Sequence, residues 1–331
     1  MAGTIDPGTV ICALVGPTAT GKTAVAAKVA PEINAEVLSV DSMQVYRGMD
    51  IGTSKPSPEE MAAARYHLLD VVDPSESFSA ALYKRMADEA IAGVVSRRSR
   101  PMLVGGSGLY YRAVVDDLDF SGAGGADSYR VELREELEEM DTHELHVLLR
   151  ERDPGAAEQI PTTNRRRILR ALEVARDGLR PMSDRQSSWS DFESPYELIA
   201  AGLDTERALL YRLIDLRVDD MMTRGLEGEV RALEGRGLKR GTTAGEALGY
   251  RQMLDYLGGG CTLDEAVREI KKRTRNYAKR QLTWFKRDPR IRWFTVEGDS
   301  KSSPEDLARS VGETAALVLE YFRDKLDNYS S

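Results

Sequence analysis

The chain has 331 residues, of which 41% are hydrophobic and 30% charged, and these values are typical of a globular protein large enough for two domains. No apolar run approaches membrane-spanning length, and the first ten residues lack the basic and apolar regions of a signal peptide, so we expect a cytoplasmic protein. With only Cys12 and Cys261, neither a disulfide framework nor a cysteine-rich zinc site is expected.

The net charge of −8 argues only weakly against a nucleic-acid partner, because the charge is unevenly distributed. Residues 271–292 contain ten Lys or Arg and one acid, and residues 165–180 contain six Arg and two acids. Residues 132–144 contain seven acids and one Arg. Local potential determines where a polyanion binds, so the two basic stretches are candidate binding surfaces.

The first predicted element is a buried strand at residues 10–15, an apolar run rich in β-branched residues. Residues 24–30 predict a helix that ends at Pro31. Between them, a glycine loop matches G-x-x-x-x-G-K-[ST] and consists of Gly16, Pro17, Thr18, Ala19, Thr20, Gly21, Lys22 and Thr23. In this P-loop the amides and the helix N-terminus converge on an anion, Lys22 adds a charge, and the Thr23 hydroxyl can bind Mg²⁺. A glycine turn without a ligand is the alternative.

Further strands are predicted at residues 36–40, 67–72, 101–104, 196–203 and 291–296. Helices at residues 58–66 and 78–96, the second capped by Ser77, alternate with the early strands and indicate a parallel sheet. Asp41 directly follows the second strand, where open α/β sheets bind their ligands.

The pattern changes near Asp116. A glycine-rich linker at residues 121–126 precedes helices at 128–140, 142–150 (capped by Thr142) and 163–177, and a Ser-rich return linker spans 181–195. His143 and His146 are three residues apart without a third ligand, so we interpret them as helix-surface residues. The remainder is mostly helical, with helices predicted at 206–224, 226–234, 243–256, 263–287 and 304–325.

These elements predict an α/β fold: a P-loop NTPase-like parallel-sheet core with an inserted all-helical domain and a helical C-terminal part. The expected domains are a first core part at residues 1–120, the insertion at 121–195 and the rest of the core at 196–331.

The P-loop alone indicates phosphate binding, and most proteins that carry it are nucleotide-binding, ATP-using NTPases or kinases. In such enzymes an Asp that ends an apolar strand often holds the metal, as Asp41 could. Neither a guanine-reading Asn-Lys-x-Asp motif nor an Arg-bearing lid segment is present.

Seven stretches together resemble the bacterial tRNA dimethylallyltransferase family, and the resemblance runs from about Val10 to Phe294. In chain order they are GPTATGKT, DSMQVYRGMDIGTSKP, GGSGLYYRA, NRRRILRALEV, DLRVDDMMTRGLEGEV, ALGYRQM and KRQLTWFKRD. The second and the last are far more specific than the P-loop.

The resemblance implies transfer of a dimethylallyl group from its diphosphate to N6 of adenosine 37 of tRNA, with Mg²⁺ and without ATP. The P-loop would hold the diphosphate, and Lys22 and Arg217 would neutralise its growing charge. Asp41 would act as general base on the adenine amine, and Ser107, where many members have Thr, would keep a hydroxyl nearby.

The resemblance also implies tRNA contacts beside a flipped base. Ser42, Met43 and Gln44 follow Asp41 and would touch that base or its neighbours. The insertion, with Arg165, Arg166 and Arg167, would clamp the anticodon stem-loop of tRNA. Two further stretches supply Ala247, Leu248, Gly249, Tyr250, Arg251, Lys279, Arg280, Gln281, Trp284, Phe285 and Lys286. We expect a monomer with no membrane partner.

Several alternatives remain open. Asp41 could only orient Mg²⁺, Ser42 could cap a turn, and Arg217 could be a surface residue of a helix. Trp284 and Phe285 could belong to the core, and the basic stretch at 271–292 could be a solvated helix face. For the whole protein, the alternatives are an ATP-dependent small-molecule kinase and a non-catalytic RNA-binding protein that senses nucleotide.

Overall fold

The computed structural model describes residues 8–116, 118, 136–137, 139–176 and 192–329, and the chain divides into two compact units. The first unit comprises residues 1–115 and 194–331, and the second comprises residues 116–193. The predicted insertion at 121–195 differs from the second unit by a few residues at each end. The predicted linker at 121–126 lies outside the described residues, as do most of the helix at 128–140 and of the linker at 181–195.

A six-stranded parallel sheet in the order β3-β2-β4-β1-β5-β6 forms the centre of the first unit. This confirms the predicted α/β class. The strands are β1 (Val10–Val15), β2 (Ala35–Val40), β3 (Tyr66–His67), β4 (Arg100–Gly105), β5 (Glu197–Asp204) and β6 (Ile291–Thr295).

The register aligns the carboxyl ends of three neighbouring strands. Val15 at the end of β1 pairs with Gly105 at the end of β4, and Val40 at the end of β2 pairs with the same glycine. The loops that follow these strands therefore leave the sheet side by side, at the edge where parallel α/β sheets bind ligands.

The helices of the first unit up to residue 115 are α1 (Lys22–Glu32), α2 (Pro58–Ala63), α3 (Ala80–Ser96) and α4 (Gly108–Val115). The second unit contains α5 (Thr142–Arg152), α6 (Pro154–Gln159) and α7 (Arg165–Arg176). The C-terminal part of the first unit contains α8 (Arg207–Thr223), α9 (Leu226–Glu234), α10 (Tyr250–Leu257), α11 (Leu263–Phe285) and α12 (Pro304–Tyr329).

Two apolar layers cover the faces of the sheet. Along β1, Ile11, Ala13 and Val15 belong to one layer and Cys12 and Leu14 to the other, as the two-residue period of a strand requires. The first layer is completed by α3, α4 and α8 to α11, and the second by α1 and α12. Both cysteines are free, as expected.

Several element boundaries differ from the prediction. The third strand ends at His67 instead of Val72, because Leu68 and Asp70 have positive φ and interrupt the extended chain. The first helix continues through Pro31 and ends at Glu32, one residue beyond the predicted stop.

Helix starts also differ from the prediction. Ser79 rather than Ser77 caps α3, and Asp141 rather than Thr142 caps α5 by accepting from the amide of Glu144 at 2.9 Å. The helix predicted from residue 243 begins at Tyr250, since the preceding Gly249 has a φ of 93° that a helix cannot contain.

The second unit has its own apolar core, with Leu145, Leu149, Ile168 and Leu172 fully buried. His146 is also buried, and its Nε2 lies 3.1 Å from the carbonyl oxygens of Ala157 and Ile160, so the prediction of a surface histidine at this position is wrong. Within the described residues of this unit the elements are all helical.

No helix in the described part of the chain has the length and apolar character required to span a bilayer.

The packing of α12 over α1 generates a stability prediction. Phe322 is fully buried in the same apolar layer as Val25 and Val29 of α1. We expect Phe322→Ala to lower the free energy of unfolding by about 3–5 kcal/mol, because the change removes buried surface and leaves a cavity. Urea unfolding measures this loss. Glu320→Ala, at an exposed position of the same helix, serves as control, and an equal loss in both variants would contradict the assignment.

Candidate functional site

A cavity of about 1200 Å³ opens at the carboxyl edge of the sheet in the first unit. It is lined by the P-loop, by the segment that begins at Asp41, by residues 50–58, and by parts of α8, α10 and α11. These segments are far apart in the sequence. The P-loop and the Asp41 segment come together because the strands that precede them end at the same level of the sheet.

The P-loop has the backbone geometry that its glycines predict. Gly16 has a φ of 139°, and a Cβ there would collide with the carbonyl oxygen of Leu203 on β5. Gly21 has a φ of 79° and is the N-cap of α1, so the helix begins at Lys22. The Thr20 hydroxyl donates to the Pro17 carbonyl at 2.9 Å, and Lys22 Nζ donates to the same oxygen at 2.6 Å. These two hydrogen bonds connect the start and the end of the P-loop.

Lys22, Asp41 and Arg217 form a charged cluster at the base of the cavity. Burial and, to a smaller extent, the charge of the nearby Arg217 lower the pKa of Lys22 to about 7, although Asp41 opposes the shift. Burial also lowers the pKa of Arg217, again against the attraction of Asp41. With two cations and one carboxylate, this part of the cavity has a net positive charge. It therefore favours the binding of an anion.

Burial raises the pKa of Asp41, while hydrogen bonds from the backbone and the charges of Lys22 and Arg217 oppose the shift. Its Oδ1 accepts from the amide of Met43 at 2.8 Å and from that of Gln44 at 3.4 Å, which fixes the carboxylate over its own turn. The result is a carboxylate that is more basic than a solvated one and is held in one orientation.

Ser107 lies directly beside the Asp41 segment. Its Oγ accepts from the amide of Ser42 at 3.0 Å and lies 3.5 Å from the Ser42 hydroxyl oxygen. The pairing of β2 with β4 places the two loops together, because the amides of Gly106 and Ser107 also donate to the Val40 carbonyl at 3.1 and 3.0 Å. The predicted proximity of Ser107 to the Asp41 loop is therefore present in the structure.

Arg217 extends from α8 into the cavity, and its Nε donates to the Ser54 hydroxyl at 2.7 Å. The alternative from the sequence, that Arg217 is a surface residue of a helix, is therefore wrong. The contact joins α8 to the loop that follows the Asp41 segment.

Gln281 ties three parts of the site together. Its Oε1 accepts from the amide of Thr18 in the P-loop at 2.9 Å, and its Nε2 donates to the carbonyl of Gly106 at 2.8 Å. The residue is 6% exposed. Since both ends of the amide bind backbone, the structure gives this residue a bridging role at the wall of the cavity.

Two aromatic residues of the predicted RNA-contact set are buried. Phe285 is fully buried and contacts the ring of Tyr111 edge to face, with ring centroids 5.8 Å apart. Tyr250 is fully buried, and its hydroxyl donates to Glu229 Oε1 at 2.6 Å. These side chains stabilise the protein interior and offer no surface to RNA.

Four further positions predicted to contact RNA lie on α11 or directly after it. Lys279, Arg280 and Lys286 are exposed, and Trp284 is half-buried against Phe285 and Gly108. Of these, Arg280 lines the cavity.

Seven more of the residues predicted to contact RNA line the cavity. Ser42, Met43 and Gln44 line the cavity, as do Ala247, Leu248, Gly249 and Arg251. Gln44 also contacts protein: its Oε1 accepts from the Ser39 hydroxyl at 2.8 Å.

In the second unit, α7 presents Arg166 and Arg167 to solvent. Arg165 is half-buried and donates to the Met140 carbonyl at 2.6 Å, so it stabilises its own unit.

Three residues of the site were missed from the sequence. Tyr277 lines the cavity near Asp41 and Ser107, and burial raises its pKa to about 12. The Ser54 hydroxyl accepts a hydrogen bond from Arg217, and the Glu229 carboxylate accepts one from the amide of Ile51. Ser54 and Glu229 fall inside the quoted motifs, but no local spacing distinguishes them, because their partners are more than a hundred residues away.

Thr23 and Asp41 provide the oxygen ligands that Mg²⁺ prefers, and both line the cavity. In the ranges that the structure covers, no group of three or more His, Cys, Asp or Glu could hold a metal by itself. Mg²⁺ commonly uses one or two protein ligands together with phosphate oxygens. The residues present therefore fit a magnesium ion that is shared with a bound diphosphate.

Comparison with known proteins gives consistent results. A family model described as IPP transferase matches residues 44–288. The tRNA dimethylallyltransferase of Carboxydothermus hydrogenoformans is 45% identical over 298 residues, which cover 90% of this chain and 94% of that protein. The tRNA dimethylallyltransferase of Moorella thermoacetica is 46% identical over 322 residues, which cover 96% of each chain.

A solved structure is similar over nearly its whole length. The crystal structure of the full-length tRNA isopentenylpyrophosphate transferase from Bacillus halodurans has a TM-score of 0.68 and 39% sequence identity, and the match covers 97% of this chain and 99% of that chain.

The lowered pKa of Lys22 generates a pH prediction. Below pH about 7 Lys22 is protonated and can bind an anion, whereas at higher pH binding must first bring a proton to the amine. We expect the affinity for inorganic diphosphate to fall as the pH rises from about 6 to about 9.

Calorimetric titration in two buffers of different ionisation enthalpy measures both this affinity and the proton uptake. Lys22→Met is the control, because it retains the titration of diphosphate itself and lacks that of the amine. An identical pH dependence of wild type and Lys22→Met would contradict the prediction.

Proposed function

Because the chain belongs to the IPP transferase family, we propose that it transfers a dimethylallyl group from dimethylallyl diphosphate to N6 of adenosine 37 in tRNA, giving N6-dimethylallyladenosine and diphosphate. This membership agrees with the resemblance found in the sequence motifs, and the chain is a prenyltransferase that acts on tRNA. The observation that carries the residue assignments is a cavity lined by the P-loop, by Asp41 with its raised pKa, and by the half-buried Arg217.

The P-loop binds the diphosphate in this proposal. Amides in the first turn of α1 have no partner within the helix and can donate to an anion, and Lys22 and Arg217 add positive charge. As the allylic C–O bond breaks, negative charge accumulates on the departing diphosphate, and fixed cations stabilise that charge most in the transition state. When bound through Thr23, Mg²⁺ would neutralise part of the same charge.

Asp41 accepts the proton of the attacking amine. The lone pair of an adenine N6 amine is delocalised, so removing its proton as the new C–N bond forms helps the reaction. The raised pKa of Asp41 makes the carboxylate a stronger base, and the amides of Met43 and Gln44 keep it oriented. Ser107 and Ser42 add hydroxyl groups beside it that can bind the base edge.

tRNA binding uses the accessible positions of the predicted set. Lys279, Arg280 and Lys286 on α11 and its C-terminal end are exposed cations, and Trp284 offers an aromatic surface for stacking. We assign the clamp on the anticodon stem-loop to the second unit, where Arg166 and Arg167 are exposed on α7.

We further propose that the protein acts as a monomer in the cytoplasm.

Direct assay of the reaction tests the proposal. Purified protein, Mg²⁺, labelled dimethylallyl diphosphate and an anticodon stem-loop with adenosines at positions 36 and 37 are incubated, and the labelled nucleoside is identified by mass. Label at N6 of adenosine 37 is expected. ATP consumption without prenyl transfer would favour a kinase, and tight RNA binding without any turnover would favour a nucleotide-sensing RNA-binding protein.

The role of Asp41 predicts a defect in chemistry and not in tRNA binding. We expect Asp41→Asn to lower kcat by about 10²–10⁴-fold, the usual range for loss of a general base, with tRNA affinity changed by less than about threefold. Single-turnover kinetics and RNA binding measure the two effects. Asp220→Asn removes an exposed carboxylate that lines the same cavity and should retain activity. Loss of tRNA affinity with turnover intact would contradict the assignment.

The exposed cations of α11 predict a salt effect. Neutralising both Lys279 and Arg280 to Gln should weaken tRNA binding and make the log–log salt slope less negative by about 1.5, because fewer counterions are released. Lys28→Gln with Lys325→Gln, both exposed on the helices of the other face, is the matched control. Equal slopes in the two double variants would show that α11 does not contact the phosphates.

A further inference from the structure

We infer that Glu229 is a positioning residue for the diphosphate clamp, acting on Arg217 and Gln44 through the loop at residues 50–55. The inference rests on the proposed function, because it concerns the same cavity. Glu229 lies on α9, and its carboxylate binds the protein instead of lining the cavity.

The Glu229 carboxylate is the meeting point of three chain segments. Its Oε2 accepts from the amides of Asp50 at 3.0 Å and Ile51 at 2.7 Å. Its Oε1 accepts from the amide of Gly52 at 3.2 Å and from the Tyr250 hydroxyl at 2.6 Å. Four donors fill the acceptor capacity of one carboxylate, and hydrogen bonds to a charged acceptor are the strong ones. The amides of residues 50, 51 and 52 therefore all donate to one carboxylate.

The other side of the same loop faces the site. Arg217 Nε donates to the Ser54 hydroxyl at 2.7 Å. Gln44 Nε2 donates to the carbonyls of Thr53 at 3.3 Å and Ser54 at 3.2 Å. A shift of the loop would therefore move both the arginine of the clamp and a residue three positions after Asp41.

The loop conformation needs external support. Ser54 has a φ of 48°, in the left-handed region that non-glycine residues seldom adopt. Gly52 packs so closely on the ring of Tyr250 that a Cβ there would lie 2.5 Å from it. Lys55 anchors the far end, since its Nζ donates to the Tyr46 carbonyl at 2.7 Å and to Asp50 Oδ1 at 2.6 Å.

Glu229 holds the near end of the loop. A residue with only a structural role would affect stability. A residue that sets the position of Arg217 also affects how tightly the folded protein binds an anion.

The test compares Glu229→Gln with Glu227→Gln on the same helix. Gln keeps the size of the side chain but replaces one acceptor oxygen by a donor, which cannot face the loop amides. The Glu227 carboxylate pairs instead with Arg231, at 2.8 Å. Binding of inorganic diphosphate with Mg²⁺ is measured by calorimetry on the full chain, together with the KM for dimethylallyl diphosphate, kcat and Tm.

For Glu229→Gln we expect diphosphate affinity to fall roughly tenfold and kcat/KM for dimethylallyl diphosphate to fall at least as much, with tRNA affinity unchanged. Glu227→Gln should behave as wild type. A lowered Tm with unchanged diphosphate affinity would show a structural role only and would overturn the inference.

A double-mutant cycle with Ser54→Ala tests the route of the effect. If Glu229 acts through the Ser54–Arg217 contact, the second substitution should add less than about twofold to the first, whereas independent effects multiply. Multiplicative losses would overturn the inference.

The binding assay separates this inference from the proposed function. Absence of prenyl transfer in the wild type would refute the proposed function alone, while equal binding of inorganic diphosphate by wild type and Glu229→Gln would refute the inference alone.

Discussion

The parallel pairing of β1, β2 and β4 is the constraint on which the site depends. These strands end at Val15, Val40 and Gly105, and the register puts the three ends at one level. The P-loop, the Asp41 turn and the loop that carries Ser107 are therefore neighbours before any side chain contributes. A Cβ at residue 105 would collide with the Val40 carbonyl, so only glycine allows the two strand ends to approach in this way.

The chemical character of the cavity depends on three charged side chains. Lys22 and Arg217 are held near each other and near Asp41 in a secluded cavity, and burial works against the charged form of all three. Hydrogen bonds hold two of these groups in place: the Met43 amide donates to the Asp41 carboxylate, and Arg217 donates to the Ser54 hydroxyl. A bound diphosphate would interact favourably with the protonated form of Lys22, so ligand binding and the charge state of Lys22 are coupled.

The helices behind the cavity connect substrate binding to the interior. On α11, exposed Lys279 and Arg280 immediately precede Gln281, which binds both the P-loop and the Gly106 carbonyl. On α9, Glu229 fixes the loop that meets Arg217. On α11, exposed cations and a residue that bridges the P-loop are therefore neighbours in sequence.

The sequence by itself determined the parallel α/β core, the P-loop, the position of Asp41 after a strand and the family, because these depend on local patterns: apolar runs, glycine spacing and motif order. It also located all six strands, although not the early end of β3, which positive φ at Leu68 imposes. Only the tertiary structure decided that Gln281, Tyr250 and Phe285 belong to the interior, that His146 is buried, and that Ser54 and Glu229 serve the site. Those roles depend on partners distant in the chain, and local periodicity carries no information about which distant atoms meet.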